Sequence, residues 1–253
     1  MTAQPALFGR PETSGTDVMP RHIGIIMDGN GRWASRNGLP RSVGHERGVE
    51  ALRRTVRAGQ KMGLEYLTVY SFSTENWRRP VSEVTALFGL LRTFIKQDLK
   101  RLNSEGVKID VFGTRNGLPD DISKLLDLAV SETSSNDKFR LGIAFNYGGR
   151  EEIVRAAALI AQKVQAGEIT VEQIDEQTFS DALDTRTYPD PDLIIRTGEE
   201  RRLSNFLVWQ SAYSELYFTE VLWPEFGEEQ LRDALLAFTT RERRFGGLKS
   251  GAA

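Results

Sequence analysis

Short apolar segments alternate with longer amphipathic segments through most of this chain. The apolar segments are rich in β-branched residues and have the length of strands, whereas the amphipathic segments repeat apolar residues at helical spacing. Alternation of this kind is typical of βαβ units, in which helices cover both faces of a mostly parallel sheet. The sequence therefore predicts an α/β fold: a single domain with a central, mostly parallel β-sheet flanked by helices.

The predicted elements follow from the period of the apolar pattern and from capping residues. The predicted strands are 23–27, 64–72, 107–112, 140–146 and 192–196. The predicted helices are 42–62, 82–103, 120–131, 150–165, 171–183 and 228–243. We expect a mobile leader at 1–19, one domain at 20–247 and a short tail at 248–253, because the leader is rich in Pro, Gly and Thr.

Composition excludes several classes of protein. The chain has no cysteine, which rules out disulfides and thiolate chemistry, and only two histidines, which rules out a multi-histidine zinc site. The formal net charge of -2 provides no general attraction to nucleic acid. No apolar run approaches the roughly 18 residues of a membrane span. We therefore expect a cytoplasmic protein without a nucleic-acid partner or a transmembrane segment.

The turn after the first predicted strand is the strongest candidate for a functional site. Asp28 and Gly29 follow the strand directly, and Gly31 and Arg32 come two residues later. In open α/β sheets, ligands bind beyond the carboxyl ends of the strands. A carboxylate there can hold a hard cation, and an arginine can grip phosphate oxygens. An ordinary Asp-Gly turn is the alternative on these residues alone.

Polar clusters also follow two other predicted strands. Ser73, Glu75 and Arg79 come after the second strand, and Arg196 and Arg202 lie around the turn after the last strand. Arginines in three separate loops favour a ligand with more than one phosphate, because a guanidinium matches phosphate geometry. The alternative is that each arginine is a solvated surface charge.

Common nucleotide-binding motifs are absent from the sequence. There is no G-x-x-x-x-G-K-[ST] loop and no G-x-G-x-x-G, which argues against a dinucleotide-binding Rossmann domain. His22 precedes a strand and is expected to be structural, whereas His45 near a helix start could donate to an anion. The long helix from Ser82 carries Phe88, Leu91 and Phe94, which form either ordinary core or one wall of an apolar cavity.

Several segments together resemble one known family, the cis-prenyltransferases. These segments are HIGIIMDGNGRWA (22–34), YSFSTENWRRP (70–80), NYGGR (146–150), DLIIRTG (192–198), SNFL (204–207), ELYF (215–218) and RERRFGG (241–247). They run from about residue 20 to residue 247 in the family's order, and the nearest members are bacterial. The trans-prenyltransferases, by contrast, are all-helical and carry Asp-rich motifs that this chain lacks.

The resemblance implies an enzyme that uses Mg²⁺ to add isopentenyl diphosphate repeatedly to an allylic diphosphate such as farnesyl diphosphate. Each addition makes a cis double bond and releases diphosphate. The implied product is a long cis-polyprenyl diphosphate, here undecaprenyl diphosphate, the precursor of a carrier lipid for cell-wall polymers such as peptidoglycan. The growing tail would lie in an apolar tunnel. A homodimer and peripheral contact with the membrane are implied as well.

The resemblance also assigns roles to residues. The implied catalytic residues are Asp28 and Asn76, the second as a proton acceptor, although a diphosphate oxygen or Asp28 could accept the proton instead. The implied metal ligands are Asp28 and Glu215. The implied substrate-binding residues are Gly29, Asn30, Gly31, Arg32, Trp33, Arg41, His45, Ser73, Thr74, Glu75, Trp77, Arg79, Arg196, Arg202, Leu203 and Ser204.

Two residues depart from the family pattern. Glu199 stands where glycine is common, which adds a carboxylate near a diphosphate site, and Phe145 is bulkier than the usual residue beside Asn146. An inward Phe145 would shorten or reshape the tunnel. Two other functions remain open at this point: a non-catalytic partner subunit of the same fold, and a metal-dependent phosphohydrolase that uses Asp28.

Overall fold

A computed structural model describes residues 19–240, which form one α/β domain around a six-stranded sheet. The strands are β1 (His22–Ile26), β2 (Tyr66–Ser73), β3 (Val107–Phe112), β4 (Phe139–Tyr147), β5 (Leu193–Arg196) and β6 (Glu215–Phe218). Their order across the sheet is β3-β4-β2-β1-β5-β6, and every neighbouring pair is parallel. All carboxyl ends therefore lie at one edge, where an α/β protein builds its site.

In the described part of the chain, seven α-helices connect and cover these strands. They are α1 (Asn30–Arg36), α2 (Arg41–Lys61), α3 (Val81–Ser104), α4 (Asp120–Glu132), α5 (Gly149–Gln165), α6 (Glu176–Ser180) and α7 (Glu228–Thr239). Short 3₁₀ turns cover Thr74–Arg78, Val171–Gln173 and Trp223–Glu225. Within residues 19–240, no helix combines the length and the apolar content that a membrane span needs.

Apolar residues fill both faces of the sheet because alternate side chains of each strand point to opposite sides. Ile23 and Ile25 of β1 belong to the larger core, which α2, α3, α4 and α7 cover. Ile26 faces the second core, in which Phe206 and Leu207 from the segment after β5 are fully buried. The sheet and its helices confirm the predicted single domain with a central parallel sheet flanked by helices.

Three local predictions differ from the structure. Residues 30–36 form α1 rather than a loop, and the structure adds β6, a four-residue edge strand too short for a period to be read from it. The helix predicted at 171–183 is two short pieces, because the Asp175 side chain accepts the Thr178 backbone N–H and starts a new helix at Glu176. The predicted leader, apart from residue 19, lies outside the described residues, as do the predicted tail, the last helical residues at 241–243 and the predicted domain end at 241–247.

His22 is a fully buried polar residue at the amino end of β1, with 1% of its surface exposed. Its Nδ1 donates to the Pro189 carbonyl over 2.6 Å, and its Nε2 lies 2.8 Å from Thr68 Oγ1, from which it accepts. These contacts suit a neutral ring, and burial lowers the pKa of His22 from 6.5 to about 4. The structural role that the sequence indicated for His22 agrees with this position.

We predict that His22 makes folding sensitive to mild acid. Its folded pKa lies below its unfolded value, so the unfolded chain binds more protons between pH 4 and 6.5, and stability falls as the pH falls through that window. The free energy of unfolding should be about 2 kcal/mol lower at pH 5 than at pH 7.5. Urea unfolding of the wild type and of His22→Asn at both pH values measures it. An equal loss of stability in the two proteins would contradict this assignment.

Candidate active site

The carboxyl ends of β1, β2, β4 and β5 open into one cleft of about 910 Å³. Of the predicted site residues, the structure brings fourteen to its walls: Asp28, Gly29, Asn30, Gly31, Arg32, Arg41, His45, Ser73, Glu75, Asn76, Arg79, Arg196, Arg202 and Ser204. Six arginines and three carboxylates line the cleft, so its polar end favours an anion.

Asp28 lies at the centre of the polar end. Gly29 adopts a φ of 108°, which turns the chain sharply after Asp28, and its backbone N–H donates to Asp28 Oδ1 over 2.6 Å. Arg32 Nη2 is 3.2 Å from the same oxygen, and Arg196 Nη2 donates to Oδ2 over 2.9 Å. The carboxylate of Asp28 therefore joins an arginine of α1 to an arginine of β5.

Arg196 is the most deeply buried arginine of the cleft, with 4% of its surface exposed. Its Nη1 donates to Ser204 Oγ over 2.7 Å and also to the main-chain oxygen of Arg202. Its Nε is buried without a partner in the described structure. A buried guanidinium with a free N–H is suited to bind an oxyanion that enters the cleft.

A second cluster of cations surrounds Glu83, at the start of α3. Glu83 Oε1 accepts from Arg79 Nη1 over 2.8 Å and lies 3.2 Å from Arg41 Nε and 3.3 Å from His45 Nε2. The side chain of Glu83 is only 13% exposed. One carboxylate therefore fixes three groups that the resemblance assigned to substrate binding.

The charge states in this cluster follow from burial and from the paired groups. Burial lowers the pKa of His45, although Glu83 acts in the opposite direction. Burial tends to raise the pKa of Glu83, but the guanidinium groups of Arg79 and Arg41 outweigh it and lower that pKa overall. A neutral His45 beside an ionised Glu83 leaves the two arginines as the cations of this cluster.

Glu199 forms ion pairs with helix α1. Its Oε1 accepts from Arg36 Nη2 over 2.7 Å, and its Oε2 lies 3.6 Å from Arg32 Nη1. The backbone of Glu199 has a φ of 69°, a conformation that glycine adopts more readily. Arg32 therefore lies between two carboxylates, those of Asp28 and Glu199.

The other end of the cleft is apolar. It continues between the sheet and helices α2 and α3, and it is lined by Val49, Leu52, Val69, Phe72, Leu87, Leu90, Leu91, Phe94, Ile143 and Phe145. Phe145 faces this space, and its ring stacks on Phe72 with centroids 5.3 Å apart. The ring of Phe88 lies 6.1 Å from Phe145 and supports it from α3.

Four predicted substrate contacts lie off the cleft walls. Trp77 donates from Nε1 to Asn146 Oδ1 over 2.8 Å and packs edge-on against Phe72, so it supports the wall from behind. Leu203 packs on the second core, and Trp33 and Thr74 are half-buried in α1 and in the 3₁₀ turn. The sequence pattern identified the right segments but did not distinguish lining residues from supporting ones.

Glu215 is another predicted residue that does not line the cleft. It begins β6 and is level with Leu193 at the amino end of β5, whereas Arg196 is level with Phe218. At about 3.3 Å per residue, Glu215 lies about 10 Å back along the strand direction from Arg196. The structure therefore does not bring Glu215 to Asp28 within one chain, and its role as a metal ligand stays a prediction.

Asn76 lies on the cleft wall, but its amide oxygen already has a partner. Asn76 Oδ1 accepts the Ser73 backbone N–H over 3.0 Å, which caps the 3₁₀ turn from Thr74 to Arg78. A neutral amide is a weak base, and this hydrogen bond occupies part of its acceptor capacity. The geometry points to a role for Asn76 in holding the turn and in donating through its NH₂ group.

Several polar residues of the site received no role from the sequence, among them Glu83, Arg150, Glu200 and Asn205. Glu83 follows Arg79 by four residues across a helix start, a spacing that indicates an ion pair, so it could have been found. Arg150 lies inside a matched motif but received no role. Asn205 has no signal in sequence, because its partners are distant along the chain.

The donor set at Asp28 fits a Mg²⁺ ion that arrives with a phosphate ligand. Within residues 19–240, no group of three or more His, Asp or Glu side chains could enclose a metal. Mg²⁺ usually binds to one or two carboxylates together with substrate phosphates and waters, rather than to a protein cage. The Asp28 carboxylate is 31% exposed and faces the cleft between two arginines, so it could provide such a ligand.

Relatives of this chain share most of its length. Residues 26–246 match the family described as "Putative undecaprenyl diphosphate synthase". "Isoprenyl transferase 2" of Bradyrhizobium diazoefficiens is 53% identical over 96% of this chain and 97% of its own length. "Isoprenyl transferase" of Agrobacterium fabrum is 51% identical over 96% of this chain and 98% of its own length.

Solved structures with the same fold agree with the sequence comparison. Lavandulyl diphosphate synthase from Lavandula x intermedia, in complex with dimethylallyl diphosphate, superposes with a TM-score of 0.88 at 36% identity, covering 90% of this chain and 98% of its own. A probable undecaprenyl diphosphate synthase from Campylobacter jejuni superposes with a TM-score of 0.75 at 29% identity. The match covers 91% of this chain and 99% of that one. The chain therefore belongs to the cis-prenyltransferase family and is an isoprenyl transferase.

Proposed function

We propose that this isoprenyl transferase condenses isopentenyl diphosphate repeatedly onto farnesyl diphosphate and makes undecaprenyl diphosphate. The observation that carries the proposal is the cleft itself, whose arginine-rich end is continuous with an apolar end. A substrate with a diphosphate head and a hydrocarbon tail matches both ends at once. Each CH₂ group that the apolar end removes from water contributes roughly 0.8 kcal/mol to binding.

The allylic diphosphate binds at the loop after β1. Asn30 and Arg32 reach it from α1, and the Glu83 cluster presents Arg41 and Arg79 from the opposite wall. The incoming phosphates replace Asp28 and Glu199 as partners of Arg32, which is held by weaker contacts of 3.2 and 3.6 Å. When the carbon–oxygen bond of the allylic substrate breaks, these fixed donors stabilise the charge on the leaving diphosphate.

Isopentenyl diphosphate binds at the loop after β5. Arg196, Arg202 and Ser204 form a clamp there, with the free Nε of Arg196 available for a phosphate oxygen. Asp28 bonds to Arg196 and so fixes this clamp relative to the first site. Holding both substrates in a defined geometry supplies much of the rate acceleration for a bimolecular condensation.

Asp28 would hold the Mg²⁺ ion together with substrate phosphates. The ion, when bound, neutralises charge that develops on the leaving diphosphate. Removal of the proton from the condensed intermediate falls to an oxygen of that diphosphate or to Asp28, because the oxygen of Asn76 caps the 3₁₀ turn. The NH₂ group of Asn76 orients substrate at the wall of the cleft.

The cellular setting follows from the product. We propose that the enzyme is a cytoplasmic homodimer whose lipid product leaves by peripheral contact with the cytoplasmic face of the membrane. Undecaprenyl diphosphate would then serve as the carrier-lipid precursor for cell-wall polymers. The substrates are small diphosphates, and no nucleic acid takes part.

The products made from farnesyl diphosphate, isopentenyl diphosphate and Mg²⁺ test the proposal directly. Mass spectrometry should show a ladder of prenyl diphosphates that ends near eleven isoprene units. Asp28→Asn keeps the side-chain shape but removes the charge, and it should lower turnover at least about a hundredfold while the protein stays folded at the assay temperature, although the melting temperature falls because Arg196 loses its charged partner. No elongation by the wild type would favour the non-catalytic partner subunit, and near-normal turnover by Asp28→Asn would contradict the metal role.

We predict that Arg196 and Arg32 serve different substrates. Arg196→Lys keeps a cation but loses the planar fork, so the KM for isopentenyl diphosphate should rise about tenfold or more while the KM for farnesyl diphosphate changes less. Arg32→Lys should show the reverse pattern. Steady-state kinetics with each substrate varied in turn measures both effects. Equal changes for the two substrates in both variants would contradict the two-site assignment.

Phe145 should limit the length of the product. Phe145→Leu and Phe145→Ala remove part or all of a ring that faces the apolar end, so the longest product should gain isoprene units in that order. Phe179→Ala, a control at α6 whose ring packs on Trp209 away from the cleft, should leave the length unchanged. Mass spectrometry of the products measures the shift. An unchanged product in both Phe145 variants would show that the limit lies elsewhere.

A further inference from the structure

Asn205 follows the clamp residue Ser204 and lies in an unusual stretch of backbone. Asn205 has a φ of 65°, and Ser204 and Leu207 also adopt positive φ values, of 48° and 45°. Side chains other than glycine pay about 1–2 kcal/mol in this conformation, and asparagine tolerates it better than most. Three such residues within four positions persist only where surrounding contacts hold them, and such strain concentrates at functional sites.

The contacts of Asn205 connect three loops at the edge of the sheet. Its backbone oxygen accepts the Gly149 N–H over 2.7 Å, and its side-chain Oδ1 accepts the Arg150 N–H over 2.8 Å, both at the start of α5 after β4. Its Nδ2 donates to Glu75 Oε1 over 2.9 Å, in the 3₁₀ turn after β2. The residue itself belongs to the loop after β5, so one side chain joins all three.

Gly148 leaves the space that the side-chain amide of Asn205 occupies. A Cβ atom at Gly148 would lie 2.8 Å from Asn205 Nδ2 and 2.7 Å from Thr74 Oγ1. Any larger residue at 148 would therefore push the amide away from Glu75. The absence of a side chain at 148 is what lets the amide and the 3₁₀ turn approach each other.

The bond to Glu75 lies on the side of the substrates. Glu75, Asn205 and Arg150 all line the cleft, but only the bond to Glu75 joins two side chains, because the bond to Arg150 goes to its backbone N–H. Burial tends to raise the pKa of Glu75, but hydrogen bonds, the one from Asn205 foremost, lower it overall and keep the carboxylate ionised. The Asn205–Glu75 bond is thus charge-assisted, a class about twice as strong as neutral pairs.

We propose that Asn205 is a positioning residue for the isopentenyl diphosphate site. Its side chain fixes the strained loop that carries Arg202 and Ser204 against the turn that carries Glu75, and so sets the distance between the clamp and the opposite wall. This inference rests on the proposed function, because it assigns the loop after β5 to isopentenyl diphosphate. Asn205 itself acts through the loop rather than on the reacting atoms.

Reversing the donor and the acceptor of the Asn205–Glu75 bond tests the proposal. Asn205→Asp keeps an oxygen for the Arg150 N–H but places a second carboxylate oxygen against Glu75. The Kd for isopentenyl diphosphate, measured by calorimetry, should rise about tenfold, the size of a lost charge-assisted bond, while the Kd for farnesyl diphosphate stays within about twofold. Adding Glu75→Gln gives the new carboxylate a donor, so the double variant should recover most of the affinity relative to Asn205→Asp.

A glycine variant separates the backbone from the side chain. Asn205→Gly keeps the left-handed conformation and loses the amide, so its Kd for isopentenyl diphosphate should be the same with and without Glu75→Gln. Melting temperatures of all variants record any general loss of folding, which would weaken both ligands alike. Equal effects of Asn205→Asp in the two Glu75 backgrounds, or equal effects on both ligands, would overturn the proposal.

The binding readout separates this inference from the proposed function. If the effect of Asn205→Asp on isopentenyl diphosphate binding depends on residue 75 as expected, but the wild type does not elongate, the role of Asn205 stands and the synthase function is contradicted. If the wild type elongates, but the effect of Asn205→Asp does not depend on residue 75, only the role of Asn205 is overturned. A wild type that does not bind isopentenyl diphosphate at all would overturn both.

Discussion

The ion pair between Asp28 and Arg196 is the interaction on which the rest of the site depends. Arg196 ends β5 and is almost fully buried, so its charge requires a partner, and Asp28 at the end of the adjacent strand provides one over 2.9 Å. Removing either partner would leave an uncompensated charge at the floor of the cleft. Because Arg196 also bonds to Ser204, the pair fixes the loops after β1 and β5 relative to each other. The two proposed diphosphate sites thus share one buried connection.

The all-parallel sheet explains why one ion pair can hold both proposed diphosphate sites in place. Parallel strands deliver every carboxyl end to one edge, and the arginines there are already paired with carboxylates, as Arg32 is with Glu199 and Arg79 with Glu83. Under the proposed function, an incoming diphosphate would exchange partners with these groups instead of entering an unpaired cluster of cations, which would be costly to fold. The apolar end begins directly behind them, where α3 covers the sheet.

The sequence predicted those parts of the molecule that depend on local pattern. Five strands, the long helices and the loop around Asp28 were correct because period, caps and turn residues specify them. Helix α1 was missed because Gly29 before it and Gly31 within it indicate a turn, and contacts with α2 override that preference. Asn205 was missed because its partners, Glu75 and Arg150, are 130 and 55 residues away. The inward position of Phe145 likewise depends on the pairing of β4, which no local pattern reveals.

A crystal structure with farnesyl thiodiphosphate, isopentenyl diphosphate and Mg²⁺ tests the central claim most directly, namely that one cleft binds both ends of the growing lipid. The account predicts that the thiodiphosphate contacts Arg32, that the second diphosphate contacts Arg196, and that the farnesyl tail lies between the sheet and α3 and points toward Phe145. A tail that lies on the protein surface, or a thiodiphosphate bound away from Asp28, would contradict it.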